Sequence, residues 1–277
     1  MKRITDALEV SRSNVYKHGA HPRIHYRKKE DPTLAGLIRE ITDARPTYGY
    51  RRICALLNRR LRETGKSGVN HKRVYRIMHV NHLLLQRHTG RPVRVHDGTI
   101  ITKQSNQRWC SDMFEILCDN GERVRVVFCL DCADREILGY FATTGGVTGE
   151  MICDLMATAI ENRFGIVDRV PEGLQWLSDN GPAYTAWETR SFARQMGFDI
   201  RTTPYYSPES NGMAESFIKT FKRDYVSMHD IPDARGVMEQ LTGWFEDYNE
   251  YHPHIGLKRR SPREHRRLMA KLEKCPV

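Results

Sequence analysis

The chain has no long apolar run. Its longest uninterrupted stretch of hydrophobic residues is Val126 to Leu130. Roughly 18 consecutive apolar residues are needed to cross a bilayer, so no membrane-spanning helix is expected. The opening MKRITDALEV lacks the apolar core of a secretory leader, and a cytoplasmic protein is expected. Paired cysteines are scarce as well. Seven cysteines are scattered, and Cys129 and Cys132 make the one C-x-x-C pair. A zinc site needs a second pair, or histidines at matching spacing, and His79 and His82 have no cysteine pair beside them. Buried free thiols in a reducing compartment are the expectation. No internal repeat or low-complexity segment is present. No serine or tyrosine sits in the setting of a covalent nucleophile.

Negative charge is scarce at the two ends. Residues 1–98 carry 22 Lys+Arg against 8 Asp+Glu, residues 99–257 carry 14 against 24, and residues 258–277 carry 8 against 2. Two basic ends thus flank an acidic middle, in a chain of net charge +10. Basic segments of this density attract phosphate backbones. An acidic middle between them is odd unless some of its carboxylates hold cations.

Hydrophobic spacing divides the chain further. Residues 1–30 read as part of a helix-turn-helix and a linker. Leu34, Leu37, Ile38 and Ile41 follow helical spacing, and Arg45-Pro46 ends that helix. A second helix buries Ile53, Leu56 and Leu57 and turns Arg51, Arg52, Arg59 and Arg60 outward. Asn70 caps a third, with Val74, Ile77 and Met78 inside and Lys72, Arg73 and Arg76 outside. Three short helices with basic outer faces, over 31–88, suit an all-α helix-turn-helix DNA-binding region. Arg51, Arg52, Lys72, Arg73 and Arg76 are its candidate DNA contacts. Residues 89–105 read as a linker.

From Gln107 the period changes to that of strands. Trp109–Cys118, Glu122–Leu130 around the Asp119-Asn120-Gly121 turn, and Ile137–Thr143 predict three antiparallel strands. A helix near Glu150–Phe164, a strand Leu174–Ser178, a helix Ala186–Met196 and a strand Asp199–Thr203 follow. A long helix to about Met228 and another over Ala234–Tyr251 complete a second domain at 106–257. The order predicts an α/β sheet with helices on both faces. Residues 258–277 read as a basic tail.

Three carboxylates stand out. Asp112 lies inside the apolar first strand, where an acid is costly unless paired or bound to metal. Asp179 ends the fourth strand, before Asn180-Gly181. Glu215 opens the helix after the Pro204–Gly212 loop. Each alone has a plain reading as a turn acid or a helix-terminus acid. Brought together, they suit two Mg²⁺ ions, with Mn²⁺ able to substitute, clamping an in-line phosphoryl displacement. Lys219 and Lys222 share a helix face with Glu215.

The sequence N-x-x-W-x-x-D at Asn106, Trp109 and Asp112, then SDNGPAY around Asp179, then SPESNGMAES around Glu215, resembles the insertion-sequence transposases with a retroviral-integrase-like core. The similarity is to their second-reading-frame (OrfB) product. Thirty-five residues separate Asp179 from Glu215, the D,D(35)E spacing of that group. A YNEYHPHIGL-x-x-R-S-P segment, Tyr248 to Pro262, and PTYGYRRI with HKRVYRIM extend the resemblance from Ile38 to about Glu264. It implies an RNase H-like fold, with Asp112, Asp179 and Glu215 as catalytic metal ligands. It implies Lys219 and Lys222 on transposon-end phosphates and the Pro204–Gly212 loop aiming Glu215. The implied partners are double-stranded DNA, as transposon ends and target, a second copy on that DNA, and an upstream-frame OrfA product joined by fusion. The implied setting is the bacterial nucleoid. Ser111-Asp112-Met113 departs from the usual Thr-Asp-Ile/Thr. Two other readings remain open: a DNA-binding regulator of transposition with an idle core, and a structure-selective RNase H-like nuclease.

Overall fold

The computed structural model describes residues 30–86, 102, 104–202 and 212–273. The partial helix-turn-helix and linker of 1–29, most of the 89–105 linker and loop residues 203–211 lie outside the described residues.

Helices α1 (Asp31–Ala44), α2 (Tyr50–Glu63) and α3 (His71–Val80) come first. Leu34, Ile38 and Ile41 of α1 pack on Ile53, Leu57 and Leu61 of α2 and on Val74, Ile77 and Met78 of α3. The Asn70 side chain caps α3 by accepting from the Lys72 N–H at 2.9 Å, as its position predicts.

A five-stranded sheet follows, in the order β3-β2-β1-β4-β5. β1 (Arg108–Leu117), β2 (Arg123–Asp131) and β3 (Ile137–Thr143) are antiparallel neighbours. β4 (Gln175–Ser178) pairs parallel with β1, and β5 (Asp199–Thr202) pairs parallel with β4. Alternation sorts the side chains. Cys110, Phe114 and Ile116 of β1, with Val124, Val126 and Phe128 of β2, pack on helices α7 (Gly212–Asp224) and α8 (Ala234–Tyr251). Trp109, Val127 and Cys129 face helices α4 (Gly149–Phe164) and α6 (Trp187–Met196). The apolar run Val126 to Leu130 lies in β2, an interior strand between β3 and β1, and is buried on both faces. This is the RNase H-like arrangement expected: three antiparallel strands, then parallel ones, between layers of helices.

Three elements differ from expectation. A short helix α5 (Pro182–Thr185) follows β4, starting on the proline of SDNGPAY. The region read as a basic tail carries helix α9 (Pro262–Glu273). Two of its arginines reach back into the fold. Arg263 and Arg266 pair with the buried Glu136 at 3.0 and 2.6 Å. The helix expected to reach Met228 stops at Asp224, and Val226–Met228 form a 3₁₀ turn.

The helical region is bolted to the α7 and α8 side of the sheet. Arg52 pairs with the buried Asp224 at 2.9 Å, Arg59 with Glu264 at 2.6 Å, and Arg45 with Asp247. The Tyr48 hydroxyl meets His252 Nδ1 at 2.8 Å, with both side chains buried.

Candidate active site

The three acids are carried by β1, the end of β4 and α7. β1 and β4 run parallel, with Cys110 opposite Leu177, so Asp112 and Asp179 stand level where β4 ends. Asp112 lies on the same strand face as Cys110 and Phe114, and α7 packs on that face through Phe217 and Phe221. Glu215, in the first turn of α7, is thereby brought over the strand ends.

Electrostatics register the convergence. The Asp112 carboxyl is pushed up to about 6, first by burial and then by the negative charges of Asp179 and Glu215, against a hydrogen bond from the Met113 N–H at 2.7 Å. The acids have local partners. Asp179 Oδ1 accepts from the Gly181 N–H at 3.0 Å, which shapes the turn into α5. Glu215 pairs with Lys219 at 3.4 Å, both partly exposed. Among the described residues, no three histidine, cysteine or acidic side chains are grouped so as to hold a metal ion. The donor chemistry fits a hard divalent cation all the same. It is oxygen-only, and the mutual repulsion felt by Asp112 is what a cation between carboxylates would relieve.

Two supports were not foreseen. Ser111, where the resemblance expects threonine, meets the Tyr184 hydroxyl at 2.8 Å in a buried contact. This ties the α5 segment that follows Asp179 to the strand that carries Asp112. The hydroxyl, common to serine and threonine, is the part used. The second is Asp131, fully buried. Its Oδ2 accepts from the Asn106 N–H at 2.7 Å and from Trp109 Nε1 at 3.2 Å, and Arg163 lies 3.3 Å away. The N-x-x-W part of the first motif is thus an anchor for the start of β1. Nothing in local spacing pointed to Asp131. Its partners are 22 and 25 residues away.

The basic residues divide. Lys222 rests its ammonium 5.8 Å from the Phe114 ring centre, beside the strand carrying Asp112. Arg51 and Lys72 are exposed. Arg52, Arg73 and Arg76, expected on a DNA-facing surface, are committed within the chain. Arg52 holds Asp224, while Arg73 and Arg76 hold Asp31 at 2.8 and 2.7 Å. Helical spacing turned them outward from their own bundle. It could not show that α1 supplies Asp31 and the core supplies Asp224.

The sheet order and its flanking helices are those of an integrase core. The integrase core domain family matches residues 102–208, a second family of the same description matches 196–262, and an HTH-like domain family matches 29–91. The chain is 50% identical over 246 residues to transposase InsD for insertion element IS2A/D/F/H/I/K of Escherichia coli, across 88% of this chain and 81% of that one. The chain belongs to this family of insertion-element transposases. Among solved structures, a simian T-cell lymphotropic virus intasome in complex with PP2A regulatory subunit B56 gamma is 17% identical, with a TM-score of 0.47 over 82% of this chain and 74% of that one. The catalytic core domain of BIV integrase is 17% identical, with a TM-score of 0.42 over 61% and 98%. No described helix is long and apolar enough to cross a membrane.

Proposed function

We propose that this transposase cleaves and joins DNA at the ends of its own element through a divalent-metal centre held by Asp112, Asp179 and Glu215. The observation that carries the proposal is the Asp112 carboxyl, raised to about 6 in part by the charges of the other two acids. Bound Mg²⁺ or Mn²⁺, two ions in the full site, would supply charge neutralisation at the reacting phosphate. The protein's own residues do the rest. Ser111 and Tyr184 hold the Asp179 segment against β1. The packing of α7 on β1 sets Glu215 over the strand ends. Glu215, paired with Lys219 at 3.4 Å, would be a metal ligand, and Lys219 would then contact a DNA phosphate, with Lys222 beside it. Arg51 and Lys72 contact DNA from the 31–88 region, and the 106–257 core performs the chemistry. Two copies act on paired ends, in the cytoplasm on the nucleoid, and an upstream-frame OrfA segment joins the chain by fusion.

The test is a thermal melt against Mg²⁺ and Mn²⁺. A ligand that binds only the folded state raises the melting temperature by mass action. Wild type should melt higher with millimolar metal, and Glu215→Gln should respond weakly or not at all. An equal rise in both proteins removes Glu215 from the site.

A further inference from the structure

A second basic site lies away from the three acids. A cleft of about 370 Å³ opens between the helical region and the turn that precedes α9. Arg51 and Arg62 of α2, His71 at the start of α3, and Lys258, Arg259 and Arg260 line it. The acid on its wall, Glu264, is already held by Arg59 at 2.6 Å, with Arg62 at 3.6 Å. No described carboxylate forms an ion pair with Arg51, Lys258, Arg259 or Arg260, so the cleft keeps a net positive charge.

The turn that presents this charge is built, not loose. His252, His254 and Leu257 are buried beneath it. The Arg259 N–H donates to the His254 carbonyl at 2.7 Å, and the Arg260 carbonyl accepts from the His254 N–H at 3.0 Å. Lys258 and Arg259 have φ of +53° and +66°. Two consecutive side-chain-bearing residues in the left-handed region are strained, and glycine would occupy both positions without steric strain. Strain of this kind persists where the side chains have work to do. Here the side chains are a lysine and an arginine, aimed at the cleft beside the first turn of α3.

We propose that this cleft is a second DNA-binding site, taking the phosphate backbone of duplex DNA between the helical region and the Lys258–Arg260 turn. Its guanidinium groups suit bidentate grip on phosphate oxygens. Phosphate contacts position a duplex without reading its sequence. The C-terminal segment thus completes the binding surface of the helical region and fixes how DNA leaves it. The proposal rests on the chain acting on duplex DNA.

Strain and charge at the same residues give an unusual test. Lys258→Gly and Arg259→Gly remove charge and relieve the backbone together. Full-length variants are titrated with a duplex from the element end and with a random duplex of equal length, across a range of salt. Thermal melts run alongside. Each variant should melt at or above wild type. Each should bind both duplexes several-fold more weakly, with the salt slope reduced by ~0.9 per lost phosphate contact. Lys271→Ala, an equal charge loss on the exposed end of α9, should leave both affinity and slope unchanged. Glycine variants that fold and bind with the wild-type slope overturn the proposal, and so does a Lys271→Ala protein that loses as much. A wild type that binds neither duplex sinks the underlying DNA reading as well, so the two failures are distinguishable.

Discussion

Asp112 is the acid of the proposed site whose chemistry is most perturbed. Its carboxyl sits at about 6 instead of the ordinary 3.8, with burial the larger cause. Between those two values the folded protein holds a proton that the unfolded chain has released. This group's contribution to stability therefore falls as pH rises through that window. Without divalent metal, Asp112→Asn should be more stable than wild type at pH 7.5, by about 1–2 kcal/mol, with the gap closing near pH 4. Melts of the two proteins at both pH values, in chelator, check this. A wild type equal to the variant at neutral pH would show that Asp112 carries no strain from its neighbours. Metal binding must displace that proton, so metal affinity should fall as pH drops below about 6.

At the scale of elements, much was legible in the sequence because the signals were local. β3 and α8 have the bounds that period and turn residues predict, and Asn70 caps α3 as its position implies. The spacing of Asp112, Asp179 and Glu215 singles them out as candidates, and the fold carries them on β1, the end of β4 and α7. The parts that were not legible depend on distant partners. Arg263 and Arg266 read as tail charges, because only the fold brings Glu136 to them. Arg73 and Arg76 read as DNA contacts, because only the packing of α1 brings Asp31 to them. Asp131 is the strongest case. It is a buried acid that fixes the Asn106–Trp109 entry to β1 and faces Arg163. Asp131→Asn should cost about 2–4 kcal/mol, since Arg163 keeps its charge in a buried site and loses a partner. Urea unfolding measures it. An unchanged midpoint would mean that Asp134 and Glu136, which also pair with Arg163, suffice.

The whole molecule is held together by a partly buried polar seam between the helical region and the core. Arg45, Tyr48 and Arg52 on one side meet Asp247, His252 and Asp224 on the other. His252 and His254 are buried and held well below their ordinary 6.5, burial being the main cause for both, with the Arg52 charge adding to it. Below pH 6.5 the unfolded chain gains protons that the folded histidines refuse, so stability is lost as pH falls. Asp112 acts in the opposite direction over part of that range, so the histidine effect is cleanest in an Asp112→Asn background. There, the melting temperature should drop between pH 6.5 and 5, and His252→Gln should shallow that slope. A pH-independent melt would mean that the seam opens to water. Arg52→Ala should also loosen the seam, because Asp224 at the end of α7 then keeps one arginine partner, Arg223. Its expected cost is about 1–3 kcal/mol.

The central claim is that Asp112, Asp179 and Glu215 act as one metal-dependent strand-transfer centre. It is tested most directly by an end-joining assay on labelled DNA from the sequences flanking the gene. The protein is supplied alone and fused to the upstream frame, with Mg²⁺ or Mn²⁺. The account predicts metal-dependent cleaved and joined products from wild type in at least one form. It predicts none from Asp112→Asn, Asp179→Asn or Glu215→Gln, each of which still binds the DNA. Joining by Glu215→Gln at the wild-type rate, or no joining by either wild-type form, would contradict it.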